Sequence, residues 1–154
     1  MLPNINIVKV NFDDYDELVT AEPMVPFTEN ELISVLNDIH SAVENGTYIF
    51  PYDERNNLFD DYIFKPCDQD YILKDLSEEN FVGKIKDLSK GSLKRKEKGY
   101  PDEYLYVFKY ACKVFRKKDQ ENNSQEMIMI YIKINDRKIP YNSVIIVSFH
   151  KNRK

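Results

Sequence analysis

The sequence predicts an α+β domain in which N-terminal helices pack on a C-terminal antiparallel sheet. Three observations support this prediction. A capped helix with a regular apolar stripe lies in the first third of the chain, two shorter helical segments follow it, and three strand-like runs fill the last third. Helices that precede a series of closely connected strands are typical of the α+β class.

Length and composition point to one soluble domain. A chain of 154 residues has the usual size of a single domain, and 42% apolar with 31% charged residues excludes disordered and fibrous proteins. We predict an acidic N-terminal extension over residues 1–27 and a single domain over residues 28–154. No apolar run approaches the roughly 20 residues of a membrane-spanning helix, and the N-terminus does not resemble a secretory signal, so we expect a cytoplasmic protein without a membrane partner.

The predicted extension contains one strand-like run and one acidic run. INIVKV at residues 5–10 alternates and predicts an edge strand. NFDDYDEL at residues 11–18 lacks the glycine and the spaced oxygen ligands of a calcium loop, so we interpret it as an exposed acidic segment. Pro23 and Pro26 then predict a linker that cannot continue a helix.

The first helix is predicted over residues 29–45. Thr28 and Glu31 have the spacing of a capping box, and Gly46 marks the C-terminal end. The apolar side chains follow helical spacing at Leu32, Val35, Leu36, Ile39 and Val43. His40 lies beside this stripe, where a lone histidine is more often structural than catalytic.

The middle of the chain predicts two short helices and a basic loop. DQDYILKDL at residues 68–76 and SEENFVGKIKDL at residues 77–88 have helical spacing, with Asp68 and Ser77 as N-caps. KGSLKRKEKGYPDE at residues 90–103 is interpreted as a cationic loop between glycines and a proline. A loop of this kind is most often solvated, although it also suits contact with a phosphate backbone.

Three strands are predicted at the C-terminal end: EYLYVFKYACKVF at 103–115, MIMIYIKIN at 127–135 and SVIIVSFH at 143–150. Alternation places Tyr131 and Lys133 on one face of the sheet and the neighbouring isoleucines against the helices. On the last strand the same alternation puts Ile146, Ser148 and His150 on a shared face. If the last two strands pair, one face of the sheet gathers Tyr131, Lys133, Ser148 and His150.

The chain lacks the common catalytic motifs. It contains no Gly-rich phosphate loop, no H-E-x-x-H and no nucleophile elbow, so kinase, zinc-protease and α/β-hydrolase functions lack support. Cys67 and Cys112 lack the C-x-x-C spacing of a zinc or redox site and are predicted to be partly buried thiols. We therefore expect no metal and no cofactor.

The charges are segregated along the chain. Residues 1–80 contain 4 Lys or Arg and 18 Asp or Glu, whereas residues 81–154 contain 18 Lys or Arg and 8 Asp or Glu. Two interpretations remain open. The halves neutralise each other across an internal interface, or the basic half binds nucleic acid, since cationic side chains placed on phosphates release condensed counterions.

Part of the basic half resembles a known toxin family. The segments are ILKDLSEENFVGKI at 72–85, IYIKI at 130–134 and VIIVSFHKNRK at 144–154, in the same order as in the family. They resemble the MqsR toxins, ribosome-independent endoribonucleases of bacterial toxin–antitoxin systems, which are similar in fold to the RelE-like toxins. The resemblance implies an RNA-cleaving toxin, RNA as substrate and a cognate antitoxin protein as partner.

The resemblance also implies particular site residues. It places Tyr131 on the family's active-site tyrosine and His150 where the family usually has a catalytic lysine. The family's helix lysine falls at Gly83, one residue before Lys84. Its catalytic glutamine has no clear equivalent here. The nearest residues are Tyr106 and Lys109.

The residue types match metal-free RNA cleavage, which needs a base for the 2'-OH proton, an acid for the leaving 5'-oxygen and cations for the charged phosphorane. His150 is predicted to be the general acid or base, because an ordinary imidazole titrates near neutral pH. Tyr131 contributes proton transfer or orientation, and Lys133 with Lys84 stabilises the phosphorane. The predicted RNA-binding residues are Lys94, Arg95, Lys96, Lys109, Lys151 and Arg153.

Two other functions remain open. A non-catalytic mobile-element or phage protein would bind and inhibit a host factor through its acidic half, whose carboxylates would imitate a nucleic-acid backbone. An RNA-binding protein without cleavage activity would differ only in its chemistry. The enzyme requires Tyr131, Lys133 and His150 to converge, whereas the mimic requires the acidic cluster at residues 13–17 to lie on an exposed surface with the later carboxylates.

Overall fold

The computed structural model describes residues 7–9, 23–50, 62–116 and 125–151, which form an α+β fold of three helices and one sheet. The elements in chain order are β1 (Ile7–Lys9), α1 (Glu29–Asn45), α2 (Pro66–Asp75), a 3₁₀ turn (Glu78–Asn80), β2 (Phe81–Lys86), α3 (Lys90–Glu97), β3 (Tyr104–Phe115), β4 (Gln125–Arg137) and β5 (Ser143–Lys151). The predicted class, helices packed on an antiparallel sheet, is confirmed. None of these helices is long and apolar enough to cross a membrane.

The five described strands form one antiparallel sheet. β3, β4 and β5 are neighbours in chain order, as the sequence predicted. β1 and β2 both pair with the other edge of β3. β2 lies along its first half, with Lys84 opposite Tyr106, and β1 lies along its last part, with Val8 opposite Lys113. β3 is therefore a central strand over most of its length.

The sheet has a helix face, which packs against α1 and α2, and an opposite face. Residues on the helix face occupy alternate strand positions, and they include Ile130, Ile132 and Ile134, as predicted. Tyr106, Phe108 and Tyr110 of β3 lie on the same face. The opposite face carries Leu105, Val107, Lys109, Tyr131 and Lys133. The large core on the helix face holds the helices, while the opposite face carries three of the four predicted catalytic residues, Tyr131, Lys133 and His150.

α1 begins and ends where the sequence predicted. The backbone N–H of Glu31 donates to the Thr28 hydroxyl at 3.1 Å, which satisfies one of the free N–H groups of the first turn. Gly46 ends the helix with a φ of 64°, a left-handed conformation in which a side chain is strained. The predicted stripe is buried at Leu32, Val35, Leu36 and Ile39.

Parts of the predicted extension pack with the sheet. Ile7–Lys9 is an edge strand, as predicted for that run. The backbone N–H of Val25 donates to the Lys84 carbonyl oxygen at 2.8 Å, and the Phe27 ring packs edge-on against Phe81 with centroids 4.7 Å apart. The acidic run at residues 11–18 lies outside the described residues. Cys67 is half-buried and Cys112 is buried, and burial together with the Asp68 charge raises the pKa of Cys112 to about 12.

The helix predicted over residues 77–88 is wrong. Ser77 precedes the 3₁₀ turn, and Phe81–Lys86 is strand β2, which pairs with the first half of β3. The same run also fits a period of two, in which Gly83 and Ile85 are buried while Lys84 and Lys86 are more exposed. The segment forms a strand because it pairs with the free edge of β3. No local signal in residues 77–88 shows that this edge is available.

Two smaller predictions in this region are also wrong. Asp68 is not an N-cap, because α2 begins at Pro66 and the Asp68 carboxylate accepts a hydrogen bond from the Lys65 backbone N–H at 2.8 Å. The predicted basic loop contains helix α3, with Ser89 as its N-cap. Lysine and arginine are good helix formers, so this cationic run can form a helix. Contacts of Ser92 and Arg95 with Glu103 hold the helix on the end of the sheet.

A bulge in β5 changes which residues share a face. Lys133 pairs with Ser148, while the next residue of β4, Ile134, pairs with Ile146, so Val147 is an extra residue. Ile146 therefore packs on the helix face. The prediction that Ile146 shares a face with Ser148 and His150 is wrong. The bulge leaves Ser148 and His150 beside Lys133 and Tyr131 on the opposite face.

Candidate functional site

Three predicted site residues form one row across the opposite face. Lys109 on β3 is directly opposite Tyr131 on β4, and Tyr131 is directly opposite His150 on β5. Residues paired in this way have Cβ atoms about 5 Å apart. The sheet therefore brings an ammonium, a phenol and an imidazole into neighbouring positions.

Lys133 belongs to the adjacent row. It lies two residues after Tyr131 on β4, about 7 Å further along the strand. Its cross-strand partners are Val107 on β3 and Ser148 on β5. The structure thus brings Tyr131, Lys133, Ser148 and His150 together on one face, as alternation predicted, and it adds Lys109.

The row combines a buried phenol with more accessible neighbours. Tyr131 is 4% exposed, whereas Lys133 and His150 are half-buried. The ring centroids of Tyr131 and His150 are 6.3 Å apart, and the rings are inclined by 56°. A substrate at this face would meet the imidazole and the Lys133 ammonium first, with the phenol beneath them.

The imidazole of His150 has a defined tautomer. Nδ1 lies 2.9 Å from the Lys151 carbonyl oxygen, and because a carbonyl oxygen only accepts, Nδ1 carries the hydrogen and donates. In neutral His150 the lone pair is then on Nε2. This is the form that a general base requires.

Lys109 is the better candidate for the role of the family's glutamine. Tyr106 points to the helix face, where its hydroxyl donates to Glu31 at 2.6 Å. Burial and this bond to a carboxylate raise the pKa of Tyr106. Lys109 points to the face that carries Tyr131, so only Lys109 lies beside the other candidates.

Lys84 does not join the row. Its side chain lies on the helix face, 13% exposed, where Nζ is 2.6 Å from a Glu31 carboxylate oxygen and 4.4 Å from the centre of the Tyr104 ring. Burial favours a raised pKa for Glu31, but hydrogen bonds from Lys84 and Tyr106 hold it below its usual value. Lys84 is therefore occupied by an internal ion pair.

The position of Lys84 in β2, one residue after Gly83, determines which face of the sheet its side chain lies on. Neighbouring strand residues point to opposite faces, so Gly83, opposite Val107, lies on the face of the candidate row and Lys84 lies on the other. A Cβ on Gly83 would meet the Met24 side chain, which covers this position. The chain thus has no cation where the family resemblance places a lysine.

Three of the six predicted RNA-binding cations, Arg95, Lys96 and Lys151, are bound to partners within the chain. Arg95 Nε lies 3.1 Å from a Glu103 carboxylate oxygen, and Lys96 Nζ lies 2.8 Å from Asp102. Lys151 lies on the helix side and donates to the Tyr62 hydroxyl at 2.9 Å, a bond that raises the pKa of Lys151. Lys94 is exposed on α3. Arg153 and the acidic cluster at residues 13–17 lie outside the described residues.

The sequence did not indicate the polar cluster at the end of the sheet. Glu103 accepts hydrogen bonds from Ser92 at 2.8 Å, from Arg95 at 3.1 Å and from Arg137 at 2.8 and 2.9 Å. Burial alone would raise the pKa of Glu103, but the bonds from Arg137 and Ser92 lower it to about 2. These partners come from α3 and β4, so no local spacing shows that they meet Glu103.

Comparison of the chain with protein-family models, with curated proteins and with solved structures finds no match. Among the described residues, no group of three or more His, Cys, Asp or Glu side chains is arranged to hold a metal ion. Any functional conclusion therefore depends on the chain's own geometry. That geometry provides a proton acceptor, a phenol and two ammonium groups on one face of a rigid sheet.

Proposed function

We propose that this protein is a metal-independent endoribonuclease toxin that cleaves single-stranded RNA, including mRNA, through attack by the 2'-OH. The observation that supports the proposal is the row Lys109–Tyr131–His150, with Lys133 beside it. Three adjacent strands hold these groups, so their spacing does not depend on a loop. Residues fixed in this way suit catalysis that relies on positioning.

His150 begins the reaction in this proposal. Nε2 takes the proton of a ribose 2'-OH, and the 2'-oxygen forms a bond to the adjacent phosphorus. The P–O5' bond then breaks, leaving a 2',3'-cyclic phosphate on one fragment. The 5'-oxygen of the other fragment takes the phenol proton of Tyr131, and the imidazolium of His150 returns a proton to the phenolate.

Lys109 and Lys133 supply the electrostatic part of the mechanism. The phosphorane carries more negative charge than the ground-state phosphodiester, and fixed ammonium groups stabilise that additional charge. Lys109 flanks Tyr131 in the row, and Lys133 is the next residue along the same face of β4. Lys84 has no part in the proposed mechanism, because its ammonium lies on the helix face.

The proposal includes a RelE- or MqsR-like fold, a cytoplasmic bacterial setting and a cognate antitoxin. It is supported by the antiparallel meander β3–β4–β5 that follows the last helix, together with the position of Tyr131 and His150 on the last two strands. A free ribonuclease in the producing cell would degrade that cell's own messages. A protein partner that blocks the opposite face is therefore expected.

Incubation of purified protein with single-stranded RNA in the presence of a chelator tests the proposal. We expect fragments with 2',3'-cyclic phosphate and 5'-hydroxyl ends, and a loss of about 10²–10⁴-fold in rate for His150→Ala. His40→Ala is the matched control, because the other histidine lies on α1 and its Nε2 is 2.9 Å from the Leu76 carbonyl oxygen. Binding without cleavage by the wild-type protein, or His150→Ala that cleaves at the wild-type rate, would contradict the mechanism.

A further inference from the structure

Three exposed lysines lie on one side of helix α3. Lys90, Lys94 and Lys98 are four residues apart along α3 and its C-cap, and all three are exposed. Residues four apart lie one above the other on a helix, separated by about 6 Å along its axis. These three residues form the lysine row. In the loop that the sequence predicted, their side chains would not be held on one side of the backbone.

The polar cluster fixes α3 on the end of the sheet. Ser92 and Arg95, on the inner side of the helix, both donate to Glu103, and Arg95 also donates to the Ile139 carbonyl oxygen. The Arg95 guanidinium lies over the Tyr100 ring, 4.4 Å from its centre. The helix backbone is therefore held in place, and binding a ligand to the lysine row has only the lysine side chains to order.

The nearby acids are largely neutralised by other cations. Glu103 is bound by Arg95 and Arg137, while Asp102 lies 2.8 Å from Lys96 and 3.8 Å from Lys86. Within the described ranges, no ion pair joins the lysine row to a carboxylate. Glu97 is the acid on the exposed side of α3 itself. The lysine row thus presents positive charge to solvent.

The lysine row lies beyond one end of the candidate site. Asn135 and Arg137 follow Lys133 on the same face of β4, and the Asn135 amide donates to Asp87 at 2.9 Å and to Glu103 at 3.2 Å. The seven residues from Tyr131 to Arg137 span about 20 Å of strand. A single strand of RNA that extends several nucleotides from the row Lys109–Tyr131–His150 reaches α3.

We propose that Lys90, Lys94 and Lys98 bind successive phosphates of a single-stranded RNA whose scissile bond lies at His150. The inference rests on the proposed ribonuclease function and adds a second contact zone to it. Phosphate contacts of this type position a strand and carry no sequence preference. They act only on substrates long enough to span both zones, so the lysine row selects for length.

Neutralising the lysine row tests this proposal. The variant Lys90→Gln/Lys94→Gln/Lys98→Gln is compared with Lys9→Gln/Lys65→Gln/Lys74→Gln, which loses the same charge from β1 and the α2 side of the molecule. Binding of a trinucleotide and of a 20-nucleotide RNA is measured in the His150→Ala background over a range of salt concentrations. Cleavage of the same RNAs is measured with His150 present, and circular dichroism checks that each variant is folded.

We expect the lysine-row variant to bind the long RNA at least about tenfold more weakly and to bind the trinucleotide as the parent does. Its salt dependence, the slope of log K against log salt, falls by about 2, since each phosphate contact to a single strand contributes about 0.7. Equal binding of the long RNA by the lysine-row variant and its parent, while the wild-type protein cleaves RNA, overturns the lysine row but not the ribonuclease. Absence of both binding and cleavage in the wild-type protein overturns the proposed function and this inference together.

Discussion

Tyr131 and His150 are directly opposed on neighbouring antiparallel strands, with their ring centroids 6.3 Å apart on the same face of the sheet. The main chain fixes this relationship, because it follows from the register of β4 and β5. A phenol and an imidazole held in this way can exchange a proton directly or through one water.

We expect Tyr131→Phe to lower the rate of RNA cleavage by about 100-fold while leaving RNA binding nearly unchanged. The substitution keeps the ring, which is 4% exposed, and removes only the hydroxyl that donates the proton. Single-turnover cleavage with a matched binding assay measures both quantities. Tyr110→Phe is the control, because its hydroxyl donates to Asp75 at 2.8 Å on the helix face, and its loss costs about 1 kcal/mol of stability without slowing cleavage.

Lys84 and Lys133 are expected to respond differently to the same substitution. Lys84→Gln leaves Glu31 without its ion-pair partner, so the free energy of unfolding falls by about 1–2 kcal/mol while cleavage per folded molecule is unchanged. Lys133→Gln lowers cleavage by about 10²-fold and changes stability by less than about 0.5 kcal/mol. Denaturant titration and initial rates distinguish them. A large loss of cleavage in folded Lys84→Gln would place Lys84 back in the mechanism.

The contrast between these lysines shows what local sequence signals can predict. α1 was predictable because its cap, apolar stripe and terminal glycine are close together in the chain. The gathering of Tyr131, Lys133 and His150 was predictable because β4 and β5 are consecutive and pair without interruption from Tyr131 to Lys133. Lys84 was misplaced because FVGKIK fits both a helical and a strand period, and on a strand one residue changes the face.

The remaining features depend on register between distant segments. The bulge at Val147 moves Ile146 to the helix face, and nothing in the run SVIIVSFH marks it. Asp38 and Asp136 lie on α1 and β4, almost 100 residues apart, yet Lys138 contacts both carboxylates. Contacts of this kind form only once helix and sheet have packed. The sequence therefore indicates which side chains are available but not which ones meet.

The Asp38–Asp136 pair makes stability depend on pH in a predictable direction. Burial, followed by the neighbouring Asp38 carboxyl group, raises the pKa of Asp136 to about 7, from about 3.8. A raised pKa means that the folded state binds the proton more tightly, so the stabilisation is complete below pH 3.8 and is lost as the pH rises to about 7. Burial favours a raised pKa for Asp38, but the neighbouring Asp136 and Lys138 lower it, so the contribution of Asp38 is lost only in acid.

We therefore expect Asp136→Asn to change the slope of stability against pH between pH 5 and pH 8. The wild-type protein loses free energy of unfolding over this range relative to the variant, and one pKa unit corresponds to about 1.4 kcal/mol. Urea titrations of both proteins at several pH values measure the difference. Parallel curves for the two proteins would show that Asp136 is ionised throughout this range.

Gly83→Lys provides a gain-of-function test of the site. Position 83 lies on the face of the candidate row, two strands from Lys133 and thus about 10 Å away, within reach of a long side chain. The Met24 side chain covers this position, but Met24 is 47% exposed and flexible, so we combine the substitution with Met24→Ala. An additional ammonium near the phosphorane should raise cleavage by about threefold to tenfold over Met24→Ala alone.

The control for this experiment is Met24→Ala/Gly83→Gln, which has a side chain of similar length without the charge. If the glutamine variant matches the lysine variant, the effect comes from removing Met24 or from altered packing of β2. If neither variant differs from Met24→Ala although both are folded, position 83 does not face the reacting phosphate. The scissile bond must then lie nearer the β5 side of the row, beside His150 rather than between Tyr131 and Val107.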